Sequence, residues 1–275
     1  MSAILFARTR HQYDSYRDFW QLVNLAGFQT VFVDQVDFRL DVTYITTMVN
    51  DEWAAMVERQ RHTPRYAHLV LWNLERPAGW AGTVGAYSNK CHTMMGARWF
   101  DEVWISDRRL AEETELRFVV LGSHPSLGVS NHSKKYDFVH MSVAVNRRQS
   151  IYKHFDPEKI APNCWPPDRD KVLQWSRFAL SVHQDNHPFL EPLRFALFAA
   201  YGLPILSETI YDSFPWSDST MVWATYDGLV DKMKQMLDER YVPWEEMGER
   251  GRQMMVDTLR FDKMVVQAVR ESTER

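Results

Sequence analysis

Short apolar runs alternate with helical patterns along most of the chain, and this alternation limits the possible folds more than any other feature. Residues 3–7, 30–34 and 68–72 are compact apolar runs, each followed by a longer segment with polar and apolar positions mixed. Strands of nearly continuous apolar character, separated by helices, are typical of parallel sheets covered on both faces. The sequence therefore predicts an α/β fold.

Glycines and spacing set the limits of several predicted elements. The helical pattern of residues 15–26 ends at Gly27, and that of residues 191–201 ends at Gly202, because glycine readily adopts the left-handed conformation that closes helices. Residues 43–60 also have helical spacing, and residues 159–161 are predicted as a short strand.

The alternation is interrupted once, at residues 124–135, which are rich in Pro, Gly, Ser and Lys and are predicted as a linker. Residues 1–123 and 136–255 then form two Rossmann-like, doubly wound units, and residues 256–275 form a C-terminal helix. Ligands of such folds bind at the carboxyl ends of the strands, so we expect a site in a cleft that the two units face.

Charge and composition exclude several classes. The chain of 275 residues has 36 acidic and 32 basic side chains, a formal charge of −4, which argues against a protein that gains most of its affinity from DNA or RNA phosphates. Cys91 and Cys164 are far apart and suggest free thiols in a reducing compartment. No apolar run of about 18 residues and no secretion signal is present, so we expect a soluble, cytoplasmic protein without a membrane partner.

Motifs of other nucleotide-binding and hydrolytic enzymes are missing from the sequence. No G-x-G-x-x-G follows the first strand of either unit, and no Walker A sequence or G-x-S-x-G elbow occurs. A dinucleotide oxidoreductase, a P-loop ATPase and an α/β-hydrolase are therefore disfavoured.

Two polar clusters contain side chains of the kinds that bind metal ions. Asp168 and Asp170 form a D-x-D pair, but they stand at a helix start, where aspartate caps the helix and favours its dipole. Residues 183–187, beginning with His183, gather imidazoles and a carboxylate at a strand end and fit the polar lining of a cleft better than a metal site, since no further ligand is apparent. We predict no metal.

Three arginines are candidates for anion binding. Arg194 lies one turn into an otherwise apolar helix and needs a partner, which could be a diphosphate or a carboxylate such as Glu208. Arg147 and Arg148 begin a helix, where guanidinium groups can bind phosphate. A solvated basic helix start is the alternative.

The second half resembles the donor domain of GT-B glycosyltransferases of the family 1 and family 4 type. The resemblance rests on strand 136–142, Arg147 and Arg148, and on the segments 161–163, 169–173, 181–184, 191–195 and 201–208. It covers residues 100–210 well and residues 65–100 more weakly, through the strand ends at 71–75 and 100–107.

One position departs from the family pattern R-x-x-E-x-x-x-x-G-x-P. Arg194, Gly202 and Pro204 match it, whereas Leu197 stands where the family has the glutamate that contacts the nucleotide ribose. That contact is therefore missing here or is supplied by Glu191 or Glu208.

The resemblance implies transfer of a sugar from a nucleotide-diphosphate sugar, UDP-type by expectation, to an unidentified acceptor held by the first unit. The donor is a substrate, so the resemblance implies no cofactor and no metal. It also implies roles for ten residues: His183 and Glu75 as catalytic groups, Arg147, Arg148 and Arg194 at the diphosphate, and Ser142, Gln184, Asp185, Glu191 and Glu208 at the sugar or nucleotide.

Two further expectations concern context. The chain is small for two such units, which suggests a compact genome such as that of a virus or phage, and a modified base in viral DNA as a conceivable acceptor. The alternative function is a non-catalytic module that binds nucleotide sugars or regulates other proteins, for which the missing helix glutamate is the main argument.

Overall fold

The computed structural model divides the chain into two compact units. The first unit comprises Met1–Val120 together with Asp262–Arg275, and the second comprises Leu121–Phe261. The structure describes residues 3–10, 17–47, 50–74, 99–114, 116–128, 133–142, 146–163, 168–183, 190–238 and 244–274.

The first unit contains a six-stranded sheet in the order β2-β1-β3-β4-β5-β6, with every neighbouring pair parallel. Its strands are β1 (Ala3–Arg8), β2 (Gln29–Phe32), β3 (Val42–Thr46), β4 (His68–Asn73), β5 (Glu102–Ile105) and β6 (Arg117–Phe118). Its described helices are α1 (Arg17–Leu25), α2 (Asp51–Arg59), α3 (Arg108–Thr114) and a 3₁₀ turn at Val33–Gln35.

Helices cover both faces of this sheet, as its apolar strands require. One face packs against α1, where the rings of Phe6 and Phe19 lie 5.9 Å apart. The other face packs against α2, and Tyr44 and Trp53 share its buried cluster.

The second unit contains a parallel sheet in the order β10-β9-β8-β7. Its strands are β7 (Tyr136–Val139), β8 (Ser176–Ser181), β9 (Ile205–Glu208) and β10 (Met221–Ala224). Its described helices are α4 (Asn146–Tyr152), α5 (Asp168–Gln174), α6 (Pro192–Ala200), α7 (Leu229–Leu237) and α8 (Trp244–Gln253), with 3₁₀ turns at Pro157–Lys159 and Tyr226–Gly228 and a π-helical turn at Met254–Thr258. Helix α9 (Phe261–Thr273) then follows, and from Asp262 onward it belongs to the first unit.

These two sheets confirm the predicted α/β fold with two doubly wound units. In the second sheet, Ile160 forms a parallel bridge to Phe138 on the side of β7 that faces away from β8. The chain therefore builds outward from β7 in both directions, which makes the carboxyl end of β7 a switch point of the kind where α/β proteins bind ligands.

Two predicted elements are wrong in part. The helix predicted at residues 43–60 is strand β3 followed by the shorter helix α2. Val42, Thr43 and Ile45 are β-branched, and the segment pairs with both β1 and β4, so burial within the sheet overrides its helical spacing. The strand predicted at residues 159–161 is reduced to the single bridge of Ile160.

Both helix ends predicted at glycines are confirmed. Gly202 has φ +66° and Gly27 has φ +76°. After α6, the N–H groups of Gly202 and Leu203 donate to Ala199 and Phe198 at 2.8 and 3.2 Å, which is the Schellman arrangement that satisfies the last carbonyl groups of a helix.

The linker predicted at residues 124–135 stays a prediction, and residues 129–132 of it lie outside the described residues. The structure groups the segment with the second unit. Leu127 is buried there, and its carbonyl accepts a hydrogen bond from Nη1 of Arg252 at 3.1 Å. Gly128, at φ +79°, lies directly against the backbone of Ala200.

Within the part of the chain that the structure describes, no helix has the length and apolar character needed to cross a membrane.

Candidate functional site

The predicted site residues that the structure describes gather at the carboxyl edge of the second sheet. Ser142 follows β7, His183 follows β8 and Glu208 ends β9, while Arg147 and Arg194 lie in the first turns of α4 and α6. Parallel strands end at the same edge, so residues that are far apart in sequence meet there. Glu75, Gln184 and Asp185 lie outside the described residues.

Arg147 and Glu208 form a bidentate ion pair at this edge. Nη1 and Nη2 of Arg147 donate to the two carboxylate oxygens at 2.6 and 2.5 Å, and the backbone N–H of His183 donates to Oε2 at 3.1 Å. The guanidinium carbon also lies 3.8 Å from the ring centroid of Tyr226. The pair is largely buried, and these fixed contacts hold the ends of β8 and β9 and the start of α4 together.

Arg194 has a different carboxylate partner from the one suggested by the sequence. Its Nη1 donates to Glu191, three residues earlier at the start of α6, and not to Glu208. Ser181 at the end of β8 donates to the same carboxylate oxygen at 3.3 Å. The correction follows from the sheet geometry, because Glu208 is already engaged by Arg147.

Arg148 and Arg169 both lie within electrostatic range of Arg194, and the three are called the guanidinium cluster. Burial lowers the pKa of Arg148, and the nearby charge of Arg194 lowers it further. Burial lowers the pKa of Arg169 to about 10, and Arg194 again contributes. Like charges gathered in a partly buried place favour the binding of an anion, which relieves their repulsion. Arg169 is a site residue that the sequence pattern alone does not identify.

Backbone contacts fix the position of Arg148 in this cluster. Its side chain is buried at the start of α4, and its Nε donates to the carbonyl of Val182, at the end of β8, at 2.8 Å. Helix α6, nine residues long, presents its first turn at the same edge, and the unpaired N–H groups of a helix start carry partial positive charge. The arrangement can therefore stabilise a di-anionic group such as a diphosphate.

His140 and Tyr152 are site residues that sequence reasoning missed. Their rings stack at a centroid distance of 4.4 Å, and Ser142 Oγ lies 3.4 Å from Nδ1 of His140. The sequence gives little indication of a role for His140, because this residue lies within the apolar run predicted as strand 136–142. Burial raises the pKa of Tyr152 to about 12, so its hydroxyl stays protonated at neutral pH.

Burial lowers the pKa of His140 to about 4; the backbone hydrogen bond with Ser142 opposes this shift, and the charges of Arg194 and Arg148 add to it. The imidazole is therefore neutral in the folded protein above about pH 4, whereas in the unfolded chain it takes up a proton below about pH 6.5. Stability should fall as the pH drops between these values, by about 2 kcal/mol at pH 5.0 relative to pH 7.5.

Urea unfolding at the two pH values tests this expectation. His140→Phe keeps an aromatic ring against Tyr152 and removes the titrating group, so its loss of stability on acidification should be smaller by the same amount. An equal acid-induced loss in wild type and variant would show that His140 is not the group responsible.

The contacts of His183 define its tautomer. Its Nε2 lies 3.2 Å from the carbonyl oxygen of Thr209, and a carbonyl can only accept a hydrogen bond. Nε2 of the neutral ring therefore carries the hydrogen, and Nδ1 carries the lone pair that can accept a proton.

The described residues do not form a metal-binding cluster at either of the two polar segments considered in the sequence. Among the described residues, no three His, Cys, Asp or Glu side chains lie close enough together to hold a metal ion. The sequence predicts Asp168 as the residue that caps α5, whereas the structure places it as the first residue of that helix. Its Oδ1 lies 3.5 Å from Nζ of Lys171. The absence of a metal requirement stays a prediction.

Sequence comparison finds no protein-family model that matches the chain, and no curated protein matches it. Solved structures share its fold. HepE of Anabaena, crystallised with UDP-glucose, has a TM-score of 0.69 at 9% identity, over 98% of this chain and 100% of that one.

Two further structures agree over nearly the full length. Sucrose-phosphate synthase of Thermosynechococcus elongatus has a TM-score of 0.65 at 8% identity, and all of each chain is covered. AviGT4, a glycosyltransferase involved in avilamycin A biosynthesis, has a TM-score of 0.58 at 12% identity, over 98% of this chain and 97% of that one. The chain therefore has the GT-B fold that the sequence resemblance predicts.

Proposed function

We propose that the protein is a glycosyltransferase that takes a sugar from a nucleotide-diphosphate sugar, a UDP-sugar, and transfers it to a hydroxyl of an acceptor. The observation that carries the proposal is the position of Arg148 and Arg194, which lie in the first turns of α4 and α6 at the carboxyl edge of the second sheet, with Nε of Arg148 held by the Val182 carbonyl. HepE, which shares the fold, was crystallised with UDP-glucose, with UDP and glucose, and with UDP.

Transfer of the sugar requires that the leaving group, UDP, be stabilised. The bond between the sugar C1 and the β-phosphate oxygen breaks, and its electron pair stays on that oxygen. The acceptor oxygen bonds to C1, and its proton passes to a base. The guanidinium cluster and the first turn of α6 stabilise the charge that develops on the departing UDP, an electrostatic role that requires no metal.

The remaining residues hold or orient the groups of this site. His183 offers Nδ1 as a proton acceptor, with its ring fixed by the Thr209 carbonyl. Glu208 positions Arg147 and the backbone of His183. Ser142 and Glu191 line the same edge, and Glu75, Gln184 and Asp185 keep the roles predicted from the sequence as proposals.

A second candidate function has a specific observation in its favour. Glu208 and Glu191 already neutralise Arg147 and Arg194, and Leu197 replaces the family glutamate. A protein of this kind could bind a nucleotide sugar without turning it over, as a regulatory module.

Release of UDP from UDP-glucose by the purified protein separates the two functions. An enzyme should release UDP slowly even without acceptor, because water can attack C1 in its place. UDP-glucose that binds and stays intact over many hours would instead support the module, and absence of binding by any UDP-sugar would contradict both.

The same assay tests the proposed independence of metal. UDP release should be unchanged in excess EDTA, because the leaving group is stabilised by guanidinium groups, and Asp170→Asn should keep most of the activity. Loss of activity in EDTA that Mn²⁺ or Mg²⁺ restores would refute this part of the proposal.

The acceptor and the biological setting are proposals of lower detail. A modified base of viral DNA is the proposed acceptor, and the cytoplasm is the expected location. The acceptor is tested by incubating the protein with viral DNA that contains a modified base and with UDP-glucose radiolabelled in the sugar. Incorporation of label into the DNA is the expected result.

A further inference from the structure

The carboxyl edge of the first sheet contains a second switch point. The strand order reverses at β1, which lies between β2 and β3. Arg8 ends β1 and pairs with Phe32 on β2. The register of β1 and β3 pairs Phe6 with Ile45, and Arg8 and Thr47 each lie two residues further along at this edge of the sheet.

Arg8 is held by aromatic rings and not by a carboxylate. Its guanidinium carbon lies 5.9 Å from the ring centroid of Trp20 and 5.4 Å from that of Phe32. Within the described residues it forms no ion pair, and its Nε is buried without a hydrogen-bond partner. Arg10, whose guanidinium carbon also lies near the Phe32 ring, differs because it pairs with Asp34 at 2.8 Å.

Two more hydrogen-bond donors at this edge are buried without a partner in the part of the chain that the structure describes. These are Nε1 of Trp20, whose ring contacts Arg8, and Oγ1 of Thr47. Trp20 and Thr47 are 6% and 2% exposed. A buried donor without a partner calls for an explanation, and a guanidinium, an indole N–H and a hydroxyl at one edge of a sheet are donors that suit an oxyanion.

We propose that this end of the first sheet binds an anionic group, a phosphate or a carboxylate, with Arg8 as its main ligand and Trp20 and Thr47 as further donors. That the group belongs to the acceptor rests on the proposed function, since the donor is assigned to the second unit. The protein would then glycosylate an acid or a phosphate ester in preference to a neutral alcohol.

Calorimetric titration with small sugars tests the anion site directly. The probes are glucose 6-phosphate, glucuronate and neutral methyl glucoside, each added in the presence of saturating UDP so that the arginines of the second unit are occupied. At least one charged sugar should bind about tenfold or more tightly than methyl glucoside, because a charge-assisted contact is strong. Preference for glucose 6-phosphate identifies a phosphate site, and preference for glucuronate a carboxylate site.

Variants assign the binding to Arg8. Arg8→Gln should weaken binding of the charged sugar about tenfold or more, whereas Arg10→Gln, which removes an equal charge that is already paired with Asp34, should change it little. Thr47→Val, a nearly isosteric change, should weaken binding of the charged sugar by a smaller factor. This variant keeps the proposal testable if Arg8→Gln does not fold.

The outcomes separate this site from the donor site. Equal affinity for charged and neutral sugars, or unchanged affinity in Arg8→Gln, would overturn the anion site. Failure of UDP to bind in its own titration would overturn the proposed function instead and would leave the anion site to be decided by the same sugar titrations.

Discussion

Replacing Arg194 by alanine should weaken binding of UDP-glucose by roughly tenfold to a hundredfold, the loss expected for one charge-assisted contact to a phosphate of about 1.5–3 kcal/mol. Arg194 is the member of the guanidinium cluster whose charge lowers the pKa values of both Arg148 and Arg169. It also lies in the first turn of α6, beside the helix dipole. Its removal therefore takes away both a contact and part of the positive potential.

Arg177→Ala is the matched control for this prediction. Arg177 lies on the same sheet and also pairs with a carboxylate, Asp137, at 3.3 Å, but both residues lie near the amino ends of their strands, away from the site. The affinity of the Arg177→Ala variant for UDP-glucose should equal that of the wild-type protein. A measurement in which Arg194→Ala binds normally, but unfolds more easily, would reduce Arg194 to a structural partner of Glu191.

Gly128→Ala should destabilise the second unit by about 2–4 kcal/mol. Gly128 has φ +79°, which costs an alanine about 1 kcal/mol. An added Cβ would also lie 1.8 Å from the carbonyl oxygen of Ala200, so the backbone would have to shift, and forced overpacking costs about 1–3 kcal/mol more.

Gly202→Ala separates these two contributions. Gly202 belongs to the same unit and has φ +66°, but the closest atom to its added Cβ is Cδ of Arg252 at 3.9 Å. The variant should lose only about 1 kcal/mol in urea unfolding. If Gly128→Ala lost no more than Gly202→Ala, the predicted linker would not be anchored at this point.

The sequence predicted most of the strands because buried parallel strands leave uninterrupted apolar runs. Strands β1 and β4 begin at the first residues of the apolar runs 3–7 and 68–72 and extend one residue beyond them, and Gly27 and Gly202 end their helices as expected. Strand β3 was missed because Trp53 and Met56 carry a real helical period downstream of it, and periodicity alone does not locate the turn between a strand and a helix.

The site could be predicted in composition but not in pairing. Arg147 and Arg194 stand out because each begins a helix, and their positions need no knowledge of the tertiary fold. The partner of Arg147, Glu208, lies 61 residues away, and only the strand order decides that they meet. His140 was missed for the same reason, because its burial beside Arg148 depends on how α4 packs against the sheet.

The central claim is that a nucleotide-diphosphate sugar binds at the carboxyl edge of the second sheet. A crystal structure of the protein soaked with UDP-glucose tests it most directly. The account predicts diphosphate oxygens within hydrogen-bonding distance of Arg194 and Arg148, beyond the ends of β7 and β8. Nucleotide bound at another place, or a site without ligand at a UDP-glucose concentration that saturates the protein in solution, would contradict it.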